Sequence, residues 1–431
     1  MSGKTTITIA GKGGPVRGTV TVPGDKSISH RALMIGSLAR GRTEITGLAD
    51  GADVASTAAA LRALGATIET SAGKTSVRCE KLIRPSGAID AGNSGTTARL
   101  LAGVLSAQPF ESTITGDRYL KKRPMERVIT PLSLMGASIS SEGGRLPLRI
   151  KGGKLSAIHY RTPVASAQVK SAIALAALFA DGDTTIVEPA KTRDHTEIML
   201  KHFGARVTTA GAKITVGGKG AERLRGTEVE IPGDISSAIF PLVAALINPG
   251  SKVRVENVGV NPARTGAIDI LGKMGADVRL GNMRSAGGEP VADIEAAWTG
   301  ELRGAEIGGS EVPAAIDELP AIAAVACFAR GKTTISGAGE LRVKESDRIS
   351  AMAEGLRNLG AKVEETPDGM QIEGGELRAG TVSSAGDHRV AMALAVAATG
   401  AEGESRIEDA DCVAISFPEF FQTLENLRGG K

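Results

Sequence analysis

The sequence predicts an α/β protein of two similar globular domains, each made of three copies of one βαβαββ-type unit. Three observations carry this reading. Ala/Leu-rich runs of helical character alternate with short Thr/Ile/Val runs of strand character along the whole chain. The alternation recurs about every 70 residues, so six copies fill the sequence. The second helical run of a copy ends on a large apolar residue followed by Gly-Ala, as in Leu64-Gly65-Ala66, Met135-Gly136-Ala137, Phe203-Gly204-Ala205, Met274-Gly275-Ala276 and Leu359-Gly360-Ala361. A period this long that contains both helix and strand points to α/β layers, not a solenoid. At 431 residues the chain also exceeds one ordinary core.

Taken in order, the first 22 residues alternate in the strand manner, at Thr6-Ile7-Thr8-Ile9 and again at Gly18-Thr19-Val20-Thr21-Val22. Copy one has helices at 25–39 and 53–64 with a strand at 43–45 between them. Copy two has helices at 93–106 and 126–135, and copy three at 166–180 and 196–203. Copy four follows with 234–247 and 265–274, copy five with 317–329 and 346–359, and copy six with 388–399 and 418–427. The glycine that closes each second helix is expected in the left-handed conformation, which only a residue without Cβ adopts at little cost. The first helix of each copy is apolar nearly all round and should be buried, the second outside. Three copies then fall to each domain. The opening strands can pair with the later copies, giving domain I as 1–22 plus 234–431 and domain II as 23–233. Pro23-Gly24-Asp25 and Pro232-Gly233-Asp234 mark the two crossovers, and the stretches 21–25 and 231–234 the expected hinge.

Composition excludes several classes. Lys and Arg number 51 against 48 Asp and Glu, a formal charge of +3, so no bulk field favours nucleic acid or membrane. One Trp and two Tyr leave little for base stacking. Cys79, Cys327 and Cys412 lie far apart, without disulfide or metal spacing, and are expected as reduced cysteines of the core. No signal-peptide pattern opens the chain, and its longest apolar runs fall well short of a membrane span. These features give the expectation of a cytoplasmic protein.

The chemistry gathers at the helix starts. Copy one opens Pro23-Gly24-Asp25-Lys26-Ser27-Ile28-Ser29-His30-Arg31, placing a Lys, a hydroxyl and an Arg where free N–H groups and the positive helix end already attract anions. Cations there oppose the dipole, so Lys26 and, in copy six, Arg389 need an anionic partner. Alone, the stretch reads more readily as a capped helix with two solvated cations, since caps are common. Copy two opens Asn93-Ser94-Gly95-Thr96-Thr97-Ala98-Arg99, and copy three Ser166-Ala167-Gln168-Val169-Lys170. Further cations stand in the links, at Lys121-Lys122-Arg123 and at Lys191-Thr192-Arg193. Lys344 and Arg348, four apart, are expected on one helical face. Asp317-Glu318, inside an apolar stretch, offers an acid that cations would keep ionised as a base.

Together these motifs resemble the EPSP synthase family (3-phosphoshikimate 1-carboxyvinyltransferases) of the shikimate pathway. The resemblance rests on the copy-one motif, on Gly92-Asn93-Ser94-Gly95-Thr96-Thr97, Lys122-Arg123-Pro124-Met125, Ser166-Ala167-Gln168-Val169-Lys170-Ser171 and Arg193-Asp194-His195-Thr196-Glu197, and on Ile316-Asp317-Glu318, Arg342-Val343-Lys344-Glu345-Ser346-Asp347-Arg348 and Asp387-His388-Arg389. It implies the enolpyruvyl transferase fold, an inside-out α/β barrel. It also implies transfer of the enolpyruvyl group of phosphoenolpyruvate to the 5-hydroxyl of shikimate 3-phosphate, with release of phosphate, on the route to the aromatic amino acids. Carried over, Lys26, Ser27, Arg31, Ser166, Ala167, Gln168, Arg193 and Lys344 hold shikimate 3-phosphate. Lys26, Gly95, Arg123, Gln168, Arg348 and Arg389 bind phosphoenolpyruvate. Asp317 takes the 5-hydroxyl proton, and Glu345, with Lys26 near, handles the proton at the vinyl carbon. No cofactor, metal, nucleic acid or membrane is implied, and a monomer is expected.

The inventory suits that chemistry. Each substrate carries a carboxylate and a phosphate of about −1.5 to −2 charge, so many fixed cations are needed. One departure stands out. The family resemblance calls for a Lys three residues before Pro418, where this chain has Ile415. Ser166-Ala167-Gln168 and Arg193-Asp194-His195-Thr196-Glu197 resemble the bacterial branch associated with glyphosate tolerance, whereas Gly95 leaves room for the inhibitor. Among rivals, a UDP-N-acetylglucosamine enolpyruvyl transferase would carry a Cys in 116–124, and this chain has none there. An RNA 3′-phosphate cyclase on a similar repeat would not need these charged helix starts. A non-catalytic anion-binding protein would not need Asp317 and Glu345.

Overall fold

The structure, a computed structural model, describes residues 5–429. The chain forms two compact units. One runs to Pro23, resumes at Pro232–Arg284 and continues from Pro290; the other comprises Gly24–Ile231 with Ser285–Glu289.

The Gly24–Ile231 unit holds three copies. Their inner helices are α1 (Lys26–Leu38), α3 (Gly95–Leu105) and α5 (Ala167–Ala177). The outer ones are α2 (Ala52–Ala63), α4 (Glu126–Leu134) and α6 (His195–His202). Ala and Leu on all sides bury nearly the whole of α3 and α5, and most of α1. The strands form one four-stranded sheet per copy, and Leu155–Ser156 makes a separate parallel pair with Ala180–Asp181. In the first, Glu228–Glu230 lies parallel to Arg42–Thr46, which pairs antiparallel with Lys74–Arg78, and that with Thr67–Ser71. The same order recurs with Ile89–Asp90, Glu111–Thr115, Arg145–Lys151 and Ser138–Glu142. It recurs again with His159–Arg161, Thr184–Val187, Lys213–Val216 and Val207–Ala210. Each sheet is open at both ends, so the helices are enclosed by separate sheets and not by one closed barrel.

The second unit repeats the scheme. Its inner helices are α7 (Ile235–Ile247), α10 (Leu319–Ala326) and α12 (His388–Thr399), every residue of which is buried. The outer helices are α8 (Gly266–Lys273) and α11 (Arg348–Asn358), and a short α9 (Glu311–Ala315) precedes α10. The last helix is α13 (Phe420–Gly429). Here the opening strands fill gaps in the repeat. Arg17–Val20 is the parallel partner of Lys252–Gly259 in copy four, and Ile7–Ala10 pairs antiparallel with Glu404–Glu408 in copy six. Copy six turns into α13 instead of supplying a hairpin of its own, and the chain start completes its sheet.

Two glycine features set the geometry. Gly65, Gly136, Gly204, Gly275 and Gly360 all have positive φ, between 83° and 111°, closing the second helix of five copies. At Gly103, a Cβ would lie 2.2 Å from the carbonyl oxygen of Ala172. Glycine there lets α3 and α5 approach backbone to backbone, which brings their starts together.

Candidate active site

In the Gly24–Ile231 unit the helix starts are knitted by side chains. Asp25 caps α1, its carboxylate accepting from the Ile28 N–H at 2.8 Å. Lys26, next in line, meets the Asp53 carboxylate at 3.1 Å, the anionic partner that a cation at a helix start requires. Arg31 donates from Nε to Thr196 Oγ1 at 2.6 Å, from Nη2 to Ser171 Oγ at 2.8 Å, and from Nη1 to the Ser27 carbonyl at 2.8 Å. Its guanidinium therefore ties α1 to α5 and α6. Burial pulls it down to about 10, against the pull of Glu197 and Asp25, and Arg193 adds to the lowering. An anion beside Arg31 and Arg193 would relieve that strain.

The α3 start is equally ordered. Ser94 caps it, accepting from Thr97 N–H at 3.1 Å. The Arg123 guanidinium stands against Gly95, where a Cβ would lie 3.1 Å from Cζ. Gln168, in the first turn of α5, donates to Thr96 Oγ1 at 2.9 Å and accepts from Arg99 at 2.5 Å. Ser166 caps α5, and Ala167 opens it with backbone alone. Arg193 is half-buried in the link before α6.

Below these groups His30 is fully buried, its Nδ1 at 2.6 Å from Thr57 Oγ1, which in turn meets Thr97 Oγ1 at 2.6 Å. Burial, then the charges of Lys26 and Arg31, holds its imidazole well below the ordinary range. The folded state thus keeps His30 neutral while the unfolded chain takes up a proton below about pH 6.5. Stability is fully present above that pH and falls as acid is added, by about 1.4 kcal/mol per pH unit. His30→Gln should flatten this part of the stability curve between pH 6.5 and 5. Denaturant midpoints for both proteins, taken at each pH, check it; parallel curves would refute the assignment.

In the other unit the carboxylates and cations gather around Asp317. This residue lies in the break between α9 and α10, not inside a continuous helix from 317. Its carboxylate is 3.2 Å from Arg348 Nη1, 3.6 Å from Lys344 Nζ and 3.9 Å from Arg389 Nη2, and its carbonyl accepts from Arg389 Nη1 at 3.1 Å. Arg348, 1% exposed, also meets Glu345 at 2.7 Å and Asp387 at 2.8 Å. Burial alone would lower its guanidinium; Asp387, Glu345 and Asp317 outweigh it and raise it above its ordinary value. Asp387 also caps α12 through the Arg389 N–H at 2.9 Å.

Two expectations need correction. Lys344 and Arg348 do not share a helix face: Lys344 ends the 3-10 turn Gly339–Val343 in extended conformation, and α11 starts only at Arg348, after the Asp347 cap. They converge on Asp317 through that bend instead. Lys170, grouped with the charged start of copy three, faces inward, 1% exposed, between Glu188 and Glu197 at 2.9 Å each. Ile415 closes the 3-10 turn Ala410–Ile415 half-buried. Residues that sequence reasoning left without a role are Asp53, Arg99, Ser171, Thr196 and Arg264. The last is buried against Ser236 Oγ at 2.5 Å, with Asp234 at 3.3 Å and Glu318 at 3.4 Å.

The family model for EPSP synthase (3-phosphoshikimate 1-carboxyvinyltransferase) matches residues 10–424. The chain belongs to the EPSP synthase family. A 3-phosphoshikimate 1-carboxyvinyltransferase of Thermoanaerobacter sp. (strain X514) is 51% identical over 416 residues, 96% of this chain and 98% of that one. One from Acidithiobacillus ferrooxidans is 52% identical over 413 residues, 95% of this chain and 94% of the relative. The solved EPSP synthase of Acinetobacter baumannii superposes with a TM-score of 0.87 at 46% identity, covering 98% of each chain. The enolpyruvyl transferase NikO of Streptomyces tendae, at 18% identity and a TM-score of 0.80 over 97% of this chain and 96% of its own, shares the fold. Among the described residues no helix is long and apolar enough to cross a membrane.

Proposed function

We propose that this EPSP synthase family member transfers the enolpyruvyl group of phosphoenolpyruvate to the 5-hydroxyl of shikimate 3-phosphate, releasing phosphate. The observation that carries the reading is Asp317, a buried carboxylate with Lys344, Arg348 and Arg389 all within 4 Å. A base for a hydroxyl and cations for the developing negative charge stand together there. Asp317 takes the proton as the 5-oxygen attacks C2 of phosphoenolpyruvate, while C3 gains a proton to become a methyl group. Elimination then removes one methyl proton, breaks the C2–O bond to phosphate and restores the vinyl group. Glu345, bonded to Arg348, handles the proton at that carbon, with Lys26.

The other unit supplies anion-binding groups. Lys26, Ser27, Arg31, Ser166, Ala167, Gln168 and Arg193, together with Lys344, hold shikimate 3-phosphate. Lys26, Gly95, Arg123, Gln168, Arg348 and Arg389 hold phosphoenolpyruvate. With Ile415 in place of a lysine, the phosphate of phosphoenolpyruvate depends the more on Arg123 and Arg389. The enzyme works in the cytoplasm as a monomer. The test is colorimetric: phosphate release should require both substrates and stop when either is omitted. Release from phosphoenolpyruvate alone, or none with both, would overturn the proposal.

The resemblance to the glyphosate-tolerant branch narrows to at most intermediate tolerance, because Gly95 carries no side chain. A Cβ there would crowd Arg99 Nη1 at 2.9 Å and the Arg123 guanidinium at 3.1 Å. Gly95→Ala should weaken glyphosate inhibition and raise the KM for phosphoenolpyruvate, each by about tenfold or more if the crowding amounts to ~1.4 kcal/mol. Inhibition curves for the two proteins check this; superimposable curves would refute the steric argument.

A further inference from the structure

Gln168 reaches the ligand-binding positions as a side-chain amide, and an amide can present either its oxygen or its nitrogen. In this protein the choice is made by Arg99. Arg99 Nη1 lies 2.5 Å from Gln168 Oε1, and arginine has only donors, so the oxygen must face it. The nitrogen is thereby turned the other way, where one N–H donates to Thr96 Oγ1 at 2.9 Å. The second N–H is left to donate to an acceptor at the start of α5. A phosphate or carboxylate oxygen fits that position, and a donor does not.

The same guanidinium holds a second piece. Arg99 Nη2 donates to the Pro124 carbonyl at 3.0 Å, fixing the link that carries Arg123. Arg99 is itself 6% exposed and is the one charged residue of its helix, beside the close α3–α5 approach at Gly103. A planar fork with donors on two nitrogens spans Gln168 and Pro124 together, and a lysine, with one compact ammonium, cannot keep both in that geometry.

We infer that Arg99 is a positioning residue for the transfer reaction: it sets the orientation of the Gln168 amide and anchors the Arg123–Pro124 link, so that both present donors to phosphoenolpyruvate. The inference rests on the function proposed above for its substrate, and on Arg99, Gln168 and Pro124 alone for its geometry.

A double-mutant cycle and one structure test it. Arg99→Lys should lower kcat/KM for phosphoenolpyruvate on the order of 10- to 100-fold, as a misplacement of about 1 Å does. In a Gln168→Ala background the same change should cost clearly less, because part of what Arg99 holds is already gone. Equal costs in the two backgrounds would overturn the inference while leaving the activity proposal intact. A wild-type protein without phosphate release would overturn the activity proposal instead. A crystal structure of Arg99→Lys reads the geometry whether or not the protein turns over: Gln168 should rotate or leave Thr96. An unmoved Gln168 amide would overturn the positioning role. The thermal midpoint of Arg99→Lys, expected close to wild type, separates positioning from loss of fold, and a collapse of the midpoint would contradict a purely positioning role.

Discussion

Asp317→Asn should leave both substrates bound and lower turnover by a factor of about 10² to 10⁴, the usual contribution of a positioned general base. The substitution keeps the size and the hydrogen-bonding reach of the side chain but removes its capacity to accept a proton. Arg348, the most deeply buried of the three surrounding cations, keeps the carboxylates of Glu345 and Asp387 at 2.7 and 2.8 Å, so its buried guanidinium is still paired in the variant. Substrate affinity should hold or rise slightly, since one negative charge near two anionic ligands is gone. Titration calorimetry for binding and steady-state kinetics for kcat check the two halves. Full activity, or loss of binding in proportion to loss of turnover, would remove Asp317 from the role of base.

Lys170→Met should cost about 3–5 kcal/mol of stability, the range expected when one member of a buried ionic set is removed. Lys170 is 1% exposed and lies between Glu188 and Glu197, each at 2.9 Å, and the Thr192 carbonyl accepts from it at 3.3 Å. Without the ammonium, two carboxylates face each other in a dry interior. The loss should shrink when Glu188 and Glu197 are replaced by Gln in the same chain, since burial of neutral hydrogen-bonded amides costs less. Urea midpoints, compared with an exposed control such as Lys201→Met, provide the measurement. A Lys170→Met midpoint indistinguishable from the control would show that the triad is dispensable.

The repeat was legible because its signals are local. An Ala/Leu helix with no polar face can only be buried, and α7, α10 and α12 are buried at every residue. A glycine after a large apolar residue marks a left-handed helix end, and five copies show that backbone. The partners that the helix dipole demanded for Lys26 and Arg389 also exist, as Asp53 and Asp317. What stayed hidden depends on tertiary contacts. Lys344 and Arg348 have helical spacing, yet Asp347 caps the helix and puts Lys344 before it. Lys170 looks like any cation in a first turn until Glu188 and Glu197, 18 and 27 residues away in sequence, close around it. Arg99 sits in a run that periodicity alone treats as one more helix turn; only the approach of α5 at Gly103 gives it Gln168 to hold.

The most direct measurement is phosphorus NMR of the purified protein mixed with phosphoenolpyruvate and shikimate 3-phosphate. The enolpyruvyl phosphate signal should vanish as inorganic phosphate appears in equal amount, while the ring phosphate persists with a small shift as its neighbouring hydroxyl becomes an enol ether. Unchanged spectra, or inorganic phosphate drawn from the ring, would contradict the account.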